Sequence, residues 1–259
     1  MILLRSAVFN AWFFGMTFLL GLLGVGVRAL APGRALAWAR VWARVVLAGA
    51  RVICGIKVEV TGFEQLPAGA ALIASQHQSA FDTLIWVTLL PRASYIYKAE
   101  LGRIPLFGAM LVASGQIPLD RKASVAGLRQ LLRAAVAARD DGRQIVIFPE
   151  GTRVAVGVEV PIRGGFSMIA ARTELPIYPV VTDSGRLWGR RAFRKWPGTV
   201  HIHIGEPIRP DLPSPVLVAT LRERWKNAAV ILASVDKSVD TASNLLTSEQ
   251  VNTSLQVKK

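Results

Sequence analysis

Apolar and polar positions divide the chain into three stretches. Residues 6–27, SAVFNAWFFGMTFLLGLLGVGV, carry no charge, and Arg5 and Arg28 bracket them. As a helix they are about 33 Å long, against a hydrocarbon core of ~30 Å. A signal peptide is the rival reading, with Ala-Leu-Ala at 29–31 as the cleavage site. Pro32 directly after it and the length of the apolar run stand against that. After the APGR break, ALAWARVWARVVLAGARVICGI sets Arg40, Arg44 and Arg51 on one helical face, with apolar residues and two tryptophans around the rest. The pattern predicts an interfacial helix with its arginines toward lipid phosphates and its tryptophans at headgroup depth. A soluble amphipathic helix packed on a domain shares that pattern. Residues 1–54 are therefore expected to form a membrane-associated helical hairpin that spans the bilayer or dips into it.

From Gly55 the period changes. IKVEVTG alternates like a half-exposed strand, and AALIA and QIVIF are short continuous apolar runs of the kind covered on both faces. GQIPLDR, LPIYPVV and TVHIHIGEPI also read as strands. SVAGLRQLLRAAVAARDDG (124–142) has Leu128, Leu131, Leu132 and Val136 at helical spacing and ends in Gly142, a natural C-terminal stop. GFSMIAART is a shorter helix, and 214–234 is the last one. Strands alternating with helices predict an α/β domain over 55–234, with a mixed, mostly parallel sheet flanked by helices. Residues 235–259 are polar and without a clear period, which predicts a disordered tail.

Composition narrows the partners. Among 259 residues, 31 Lys and Arg against 17 Asp and Glu give a net charge of +14, so the partner is anionic. A hydrophobic share of 52% and seven tryptophans favour a membrane surface. Cys54 is the single cysteine, which excludes an internal disulfide and a cysteine zinc site. No P-loop or G-x-G-x-x-G follows a strand, so no cofactor, nucleotide triphosphate or metal is expected. SGRLWGRRAFRKW (184–196) interleaves basic residues with Trp188, Phe193 and Trp196. That pattern suits single-stranded nucleic acid. Beside the hairpin it fits lipid headgroups, or another acidic or phosphate-bearing ligand, better, so no nucleic acid is expected. His201 and His203 share a strand face, and two histidines alone make a poor metal site.

Ligand sites in open α/β sheets lie beyond the carboxyl ends of strands. Two polar clusters fall there: SQHQSAFD after AALIA, and PEGTR (149–153) after QIVIF. On a continuous helix His77 and Asp82 face apart. At a strand-to-helix junction Asp82, in the first helical turn, can reach back to the imidazole. The pair is then two thirds of a Ser-His-Asp triad, and without a G-x-S-x-G elbow the nucleophile is open to being a substrate hydroxyl. A purely structural His–Asp cap is the other reading. In PEGTR, Gly151 lets backbone N–H groups approach an anion, Arg153 offers a planar fork for phosphate, and Glu150 can fix that arginine or a substrate hydroxyl. An ordinary Pro-Glu-Gly turn with a solvated arginine remains open as well.

HQSAFD resembles the H-x-x-x-x-D motif of the glycerolipid acyltransferases, the lysophosphatidic acid acyltransferase family, and FPEGTR matches their second signature. KAELGRIPLFGAMLVASGQIPLDR (98–121) looks like their intermediate block, through Lys98, Glu100, Pro105, Gly108, Gly115 and the Asp-Arg at 120–121, and LPIYPVV is similar to their last one. The four ordered blocks cover about 110 residues and leave 1–50 and the tail unmatched. Gln76 stands where many members have Asn, and Arg163 where a lysine-rich segment is usual. The resemblance implies a membrane-associated O-acyltransferase. Acyl-CoA or acyl carrier protein serves as co-substrate, and 1-acylglycerol 3-phosphate is the acceptor that becomes phosphatidic acid. His77 is the implied general base and Asp82 its orienting partner, with no acyl-enzyme. Lys98 and Arg153 are the implied phosphate ligands, with Glu150, Gly151 and Thr152 completing the substrate site. The implied location is the inner or cytoplasmic membrane, with the catalytic domain on the cytoplasmic side. Glycerol 3-phosphate or another lyso-lipid as acceptor, hydrolysis by the same base, and a catalytically silent lipid-binding protein are the alternatives.

Overall fold

The structure is a computed structural model and describes residues 1–120 and 125–232. The expected tail, Arg121 of the Asp-Arg pair and Ser124 fall outside the described residues. Two helices lead, α1 (Ile2–Leu30) and α2 (Ala35–Gly49), and a π-helical turn (Ala50–Cys54) ends at Gly55 with φ 74°. The core follows as β1 (Ile56–Thr61), β2 (Ala71–Ser75), α3 (Phe81–Leu89), β3 (Ala93–Lys98), α4 (Phe107–Ala113), β4 (Ile117–Leu119), α5 (Val125–Asp140), β5 (Gln144–Ile147), α6 (Gly165–Thr173), β6 (Ile177–Thr182) and β7 (Gly198–Ile204). Helix α7 occupies 214–232. The periodicity left β3 and α4 unpredicted: ASYIYK alternates weakly, and α4 is short.

The sheet order is β1-β7-β6-β2-β5-β3-β4, parallel except where β6 meets β7. β2, β5 and β6 are buried at every position, which is why their sequences are continuous apolar runs rather than alternating ones. One sheet face packs under α1, α2 and α3, around Phe9, Val46, Phe81, Trp86 and Val180. The other packs under α5, α6 and α7, around Leu131, Ile145, Phe166, Ile177 and Trp225.

The N-terminal hairpin shares the first of these cores, because Phe9, Ala43, Val46 and Ala50 are completely buried in it. α1 is apolar and long enough to cross a membrane, and only 6% of its most apolar 18-residue window is buried. The interfacial roles expected of α2 are corrected in part. Arg40 does not reach for phosphates: it donates to the Val87, Leu90 and Pro91 carbonyls at 3.2, 3.1 and 2.8 Å, capping the end of α3. Trp38 and Trp42 turn toward α1, donating to Leu20 O (2.9 Å) and Thr17 Oγ1 (3.0 Å). Arg44 and Arg51 remain exposed. Cys54 is buried, in keeping with a small apolar role.

Candidate active site

The sheet brings both polar clusters to one edge. β2 and β5 are parallel neighbours, so the segments leaving their carboxyl ends, 76–80 and 148–153, lie side by side. Val154 N–H donates to His77 O at 2.7 Å and stitches the two loops together. Asp82 sits in the first turn of α3, where a carboxylate is favoured by the unpaired amides. Its Oδ2 faces His77 Nδ1 at 3.1 Å and accepts the Gln78 and Ser79 amides at 2.7 and 2.8 Å. A carboxylate only accepts, so this contact assigns the proton to Nδ1 and leaves the Nε2 lone pair for chemistry. Asp82 is 2% exposed and His77 13%, so the base has a solvent-side opening and its orienting partner has none.

Two further groups hold His77, one at its ring and one at its backbone. Phe148 stacks on it, with ring centroids 4.0 Å apart and planes 17° from parallel. Glu150 Oε2 accepts the His77 backbone N–H at 2.7 Å. Loss of water pushes the Glu150 carboxyl up to about 8; the bond from His77 opposes that rise and the charge of Asp82 adds to it. Glu150 is thus neutral at pH 7 and adds no second anion beside the dyad. The Gly151 N–H closes the Phe148–Gly151 turn on Phe148 O at 2.9 Å, with Gly151 at φ 71°. Thr152 and Arg153 follow, half-buried. Burial lowers the Arg153 pKa, Asp82 opposes this, and Arg190 and Arg191 add to it, so Arg153 feels both the dyad's carboxylate and the two arginines of the later loop. Lys98 ends β3 on the same edge. Its ammonium pairs with Glu100 at 3.3 Å, with both side chains about half exposed, and among the described residues it makes no hydrogen bond to the His77 cluster.

Sequence reasoning missed the role of Phe148, although it opens FPEGTR, and missed Ser184 altogether. The Ser184 hydroxyl donates to Asp82 Oδ1 at 2.5 Å from a segment 102 residues away, a pairing with no local signature. The basic loop is half structural: Trp188 packs edge-on to Phe9 at 5.1 Å, and Lys195 is buried, while Phe193, Arg190 and Arg191 stay exposed. His201 is held by Asp183, and His203 Nδ1 lies 2.8 Å from Thr61 Oγ1, so both act within the fold. Among the described residues no group of three or more His, Cys, Asp or Glu is placed to hold a metal. A cavity of about 300 Å³ opens beside Gln78 and Glu150 and runs along Val156 and Trp225 toward Arg222 and Lys226 of α7.

This arrangement can draw a proton from a hydroxyl held next to an anion site. Residues 57–183 match the Acyltransferase family. The 1-acyl-sn-glycerol-3-phosphate acyltransferase of Pseudomonas aeruginosa is 32% identical over 183 residues, 71% of this chain and 71% of that protein. The protein of the same name from Helicobacter pylori is 33% identical over 177 residues, 67% and 73% of the two chains. The human alpha form is 27% identical over 188 residues, 71% and 66%. The crystal structure of the 1-acyl-sn-glycerophosphate (LPA) acyltransferase PlsC from Thermotoga maritima shares the fold, with a TM-score of 0.73 over 90% of this chain and 98% of that one, at 22% identity. With relatives above 30% identity covered over more than two thirds of their length, the chain belongs to the 1-acyl-sn-glycerol-3-phosphate acyltransferase family.

Proposed function

We propose that the protein transfers a fatty acyl group from a thioester, acyl-CoA or acyl carrier protein, to the free hydroxyl of 1-acylglycerol 3-phosphate, giving phosphatidic acid. The observation that carries this reading is a complete His–Asp dyad whose three neighbouring serine hydroxyls each make a hydrogen bond within the protein. Ser75 Oγ donates to Gln76 O and receives Trp86 Nε1, Ser79 Oγ accepts the Phe81 amide, and Ser184 Oγ is bound to Asp82. The nucleophile then comes from the substrate. His77 Nε2 takes the acceptor's hydroxyl proton as its oxygen bonds to the thioester carbon. The tetrahedral adduct expels the thiolate, which recovers that proton from the imidazolium, and Asp82 steadies the cation throughout. Arg153 binds the acceptor's phosphate with Lys98 at the outer edge, and Glu150, Gly151 and Thr152 shape the floor. The cavity toward α7 holds the thioester.

The catalytic edge works at the cytoplasmic face of the membrane. α1 touches the domain along its length, from Ser6, which accepts the Lys195 amide at 2.9 Å, to Gly24, against Trp38 and Met110. These contacts favour an α1 that lies along the domain over one that projects from it. Its exposed Phe14, Phe18, Leu22 and Val25 instead dip into one leaflet, with Arg28, Arg34, Arg44 and Arg51 toward anionic headgroups.

The test is a panel of labelled acyl-CoA and acyl carrier protein donors against lysophosphatidic acid, glycerol 3-phosphate and other lyso-lipids. Acceptor-dependent thioester loss with a diacyl product is the expected result. Free fatty acid as product points to a hydrolase, and no turnover with any acceptor to a lipid-binding protein. His77→Ala should lose ~10²–10⁴ in kcat, the usual worth of a general base, while lyso-lipid binding survives.

A further inference from the structure

We infer that the Asp183-Ser184-Gly185 turn is a clamp that positions the catalytic dyad, with Ser184 as its acting member. The inference rests on the function proposed above.

The four hydrogen bonds that surround Asp82 are not equivalent. Oδ2 takes His77 and two amides of its own loop, whereas Oδ1 takes a single donor, the Ser184 hydroxyl, at 2.5 Å. Ser184 is completely buried. A carboxylate held on one oxygen alone can rotate about its Cβ–Cγ bond; a donor on the other oxygen fixes its plane, and with it the line from Oδ2 to His77 Nδ1. The turn grips the same loop a second time, where Gly185 N–H donates to Gln78 Oε1 at 3.1 Å. A Cβ at Gly185 would lie 3.0 Å from that of Gln78, so the approach is as close as backbone permits.

A clamp needs a fixed base, and the sheet supplies one. Asp183 Oδ1 accepts the His201 amide at 2.7 Å and Oδ2 faces His201 Nδ1 at 3.0 Å, while Asp183 N–H returns a bond to His201 O. Ser184 N–H is further held by Thr182 Oγ1 at 3.1 Å. The path from β7 to the base is therefore continuous: His201, Asp183, Ser184, Asp82, His77. The second His–Asp pair anchors the first.

Removing the Ser184 hydroxyl has a predictable electrostatic sign. The bond draws negative charge of Asp82 away from the imidazole; without it the imidazolium is stabilised and the base is protonated up to a higher pH. The other titratable groups around the dyad are Glu150, Tyr95 and Arg153, none of which bonds to Ser184.

The test uses the full-length enzyme in detergent with Ser184→Ala and Ser184→Cys. Cysteine keeps the volume with a weaker donor, and its profile decides if the alanine variant folds poorly. The expected result is a fall in kcat of about 10-fold, in the range of one hydrogen bond to a charged group, with both KM values unchanged. The acid limb of the kcat/KM profile should move upward by about half a pH unit. In a His77→Ala background the same substitution should cost nothing further, because the dyad it positions is gone. A variant that loses activity only in proportion to its folded fraction, with the wild-type pH profile, overturns the proposal, as does full additivity with His77→Ala. If instead the wild type transfers no acyl group, or His77→Ala stays fully active, the proposed function fails and not the clamp alone.

Discussion

At the scale of residues, the site is built on unequal burial of like groups. Asp82 is surrounded by amides, a hydroxyl and an imidazole, whereas Glu150, with one amide donor from His77, keeps its proton to about 8. Its ordinary value is 4.5, so between 4.5 and about 8 the unfolded chain has released a proton that the folded chain retains. Stability contributed by Glu150 is therefore complete below the lower value and falls as pH rises across that window. Glu150→Gln should flatten the slope of unfolding free energy against pH between 5 and 8, read by thermal or urea melts in detergent; an unchanged slope contradicts the assignment. For Arg153 the proposed partner is the substrate. Arg153→Ala should raise the acceptor KM at least 10-fold while the donor KM moves little, and Arg153→Lys should recover only part, since an ammonium lacks the two-pronged fork. Equal changes in both KM values tell against a phosphate contact. His77 and Asp82 were legible because their partnership is local, five residues across a strand-to-helix junction. Ser184 was not, because a hydroxyl reaching across 102 residues leaves no trace in spacing.

At the scale of elements, α2 shows how a stripe of charge can mislead. Arg40, Arg44 and Arg51 share a face by period alone, yet the period says nothing of what that face meets. Arg40 meets the end of α3, whose last carbonyls have no partner within the helix. Arg40→Met, which keeps the aliphatic stem, should destabilise by about 1–3 kcal/mol and lower Tm by a few degrees with the acceptor KM unchanged. A variant that weakens lipid binding at unaltered Tm returns Arg40 to the headgroups. Strands β2, β5 and β6 were legible for the converse reason: continuous apolar runs of this length fit a sheet covered on both faces. β3 was hidden because two tyrosines and a lysine dilute its apolar signal.

At the scale of the whole molecule, one sheet separates two environments. α1 and its exposed apolar side lie over one face, and the cavity reaching α7 opens over the other. Under the proposed function, a lipid acceptor and a thioester donor would approach the same edge from opposite sides. If α1 lies in the plane of the membrane, both its ends are on one side. Leu3→Cys and Leu30→Cys should then react equally with a membrane-impermeant thiol reagent from the cytoplasmic face, with buried Cys54 silent. High salt should not release the protein, and detergent should. Labelling of the two positions from opposite faces establishes a spanning helix.

The fastening of α1 also sets a schedule for synthesis. Lys195 is buried with its ammonium 2.6 Å from Asn10 Oδ1, a contact that spans 185 residues of chain. At ~5–20 residues per second the ribosome needs about 10–40 s to deliver Lys195 after Asn10. During that interval the apolar helix is already free to enter the lipid surface, while Ser6 and Asn10 wait for the partners that will close the enzyme over them. If the helix binds lipid in that interval, the growing chain is tethered before the catalytic edge exists, and a loop made late completes a joint with the first helix made.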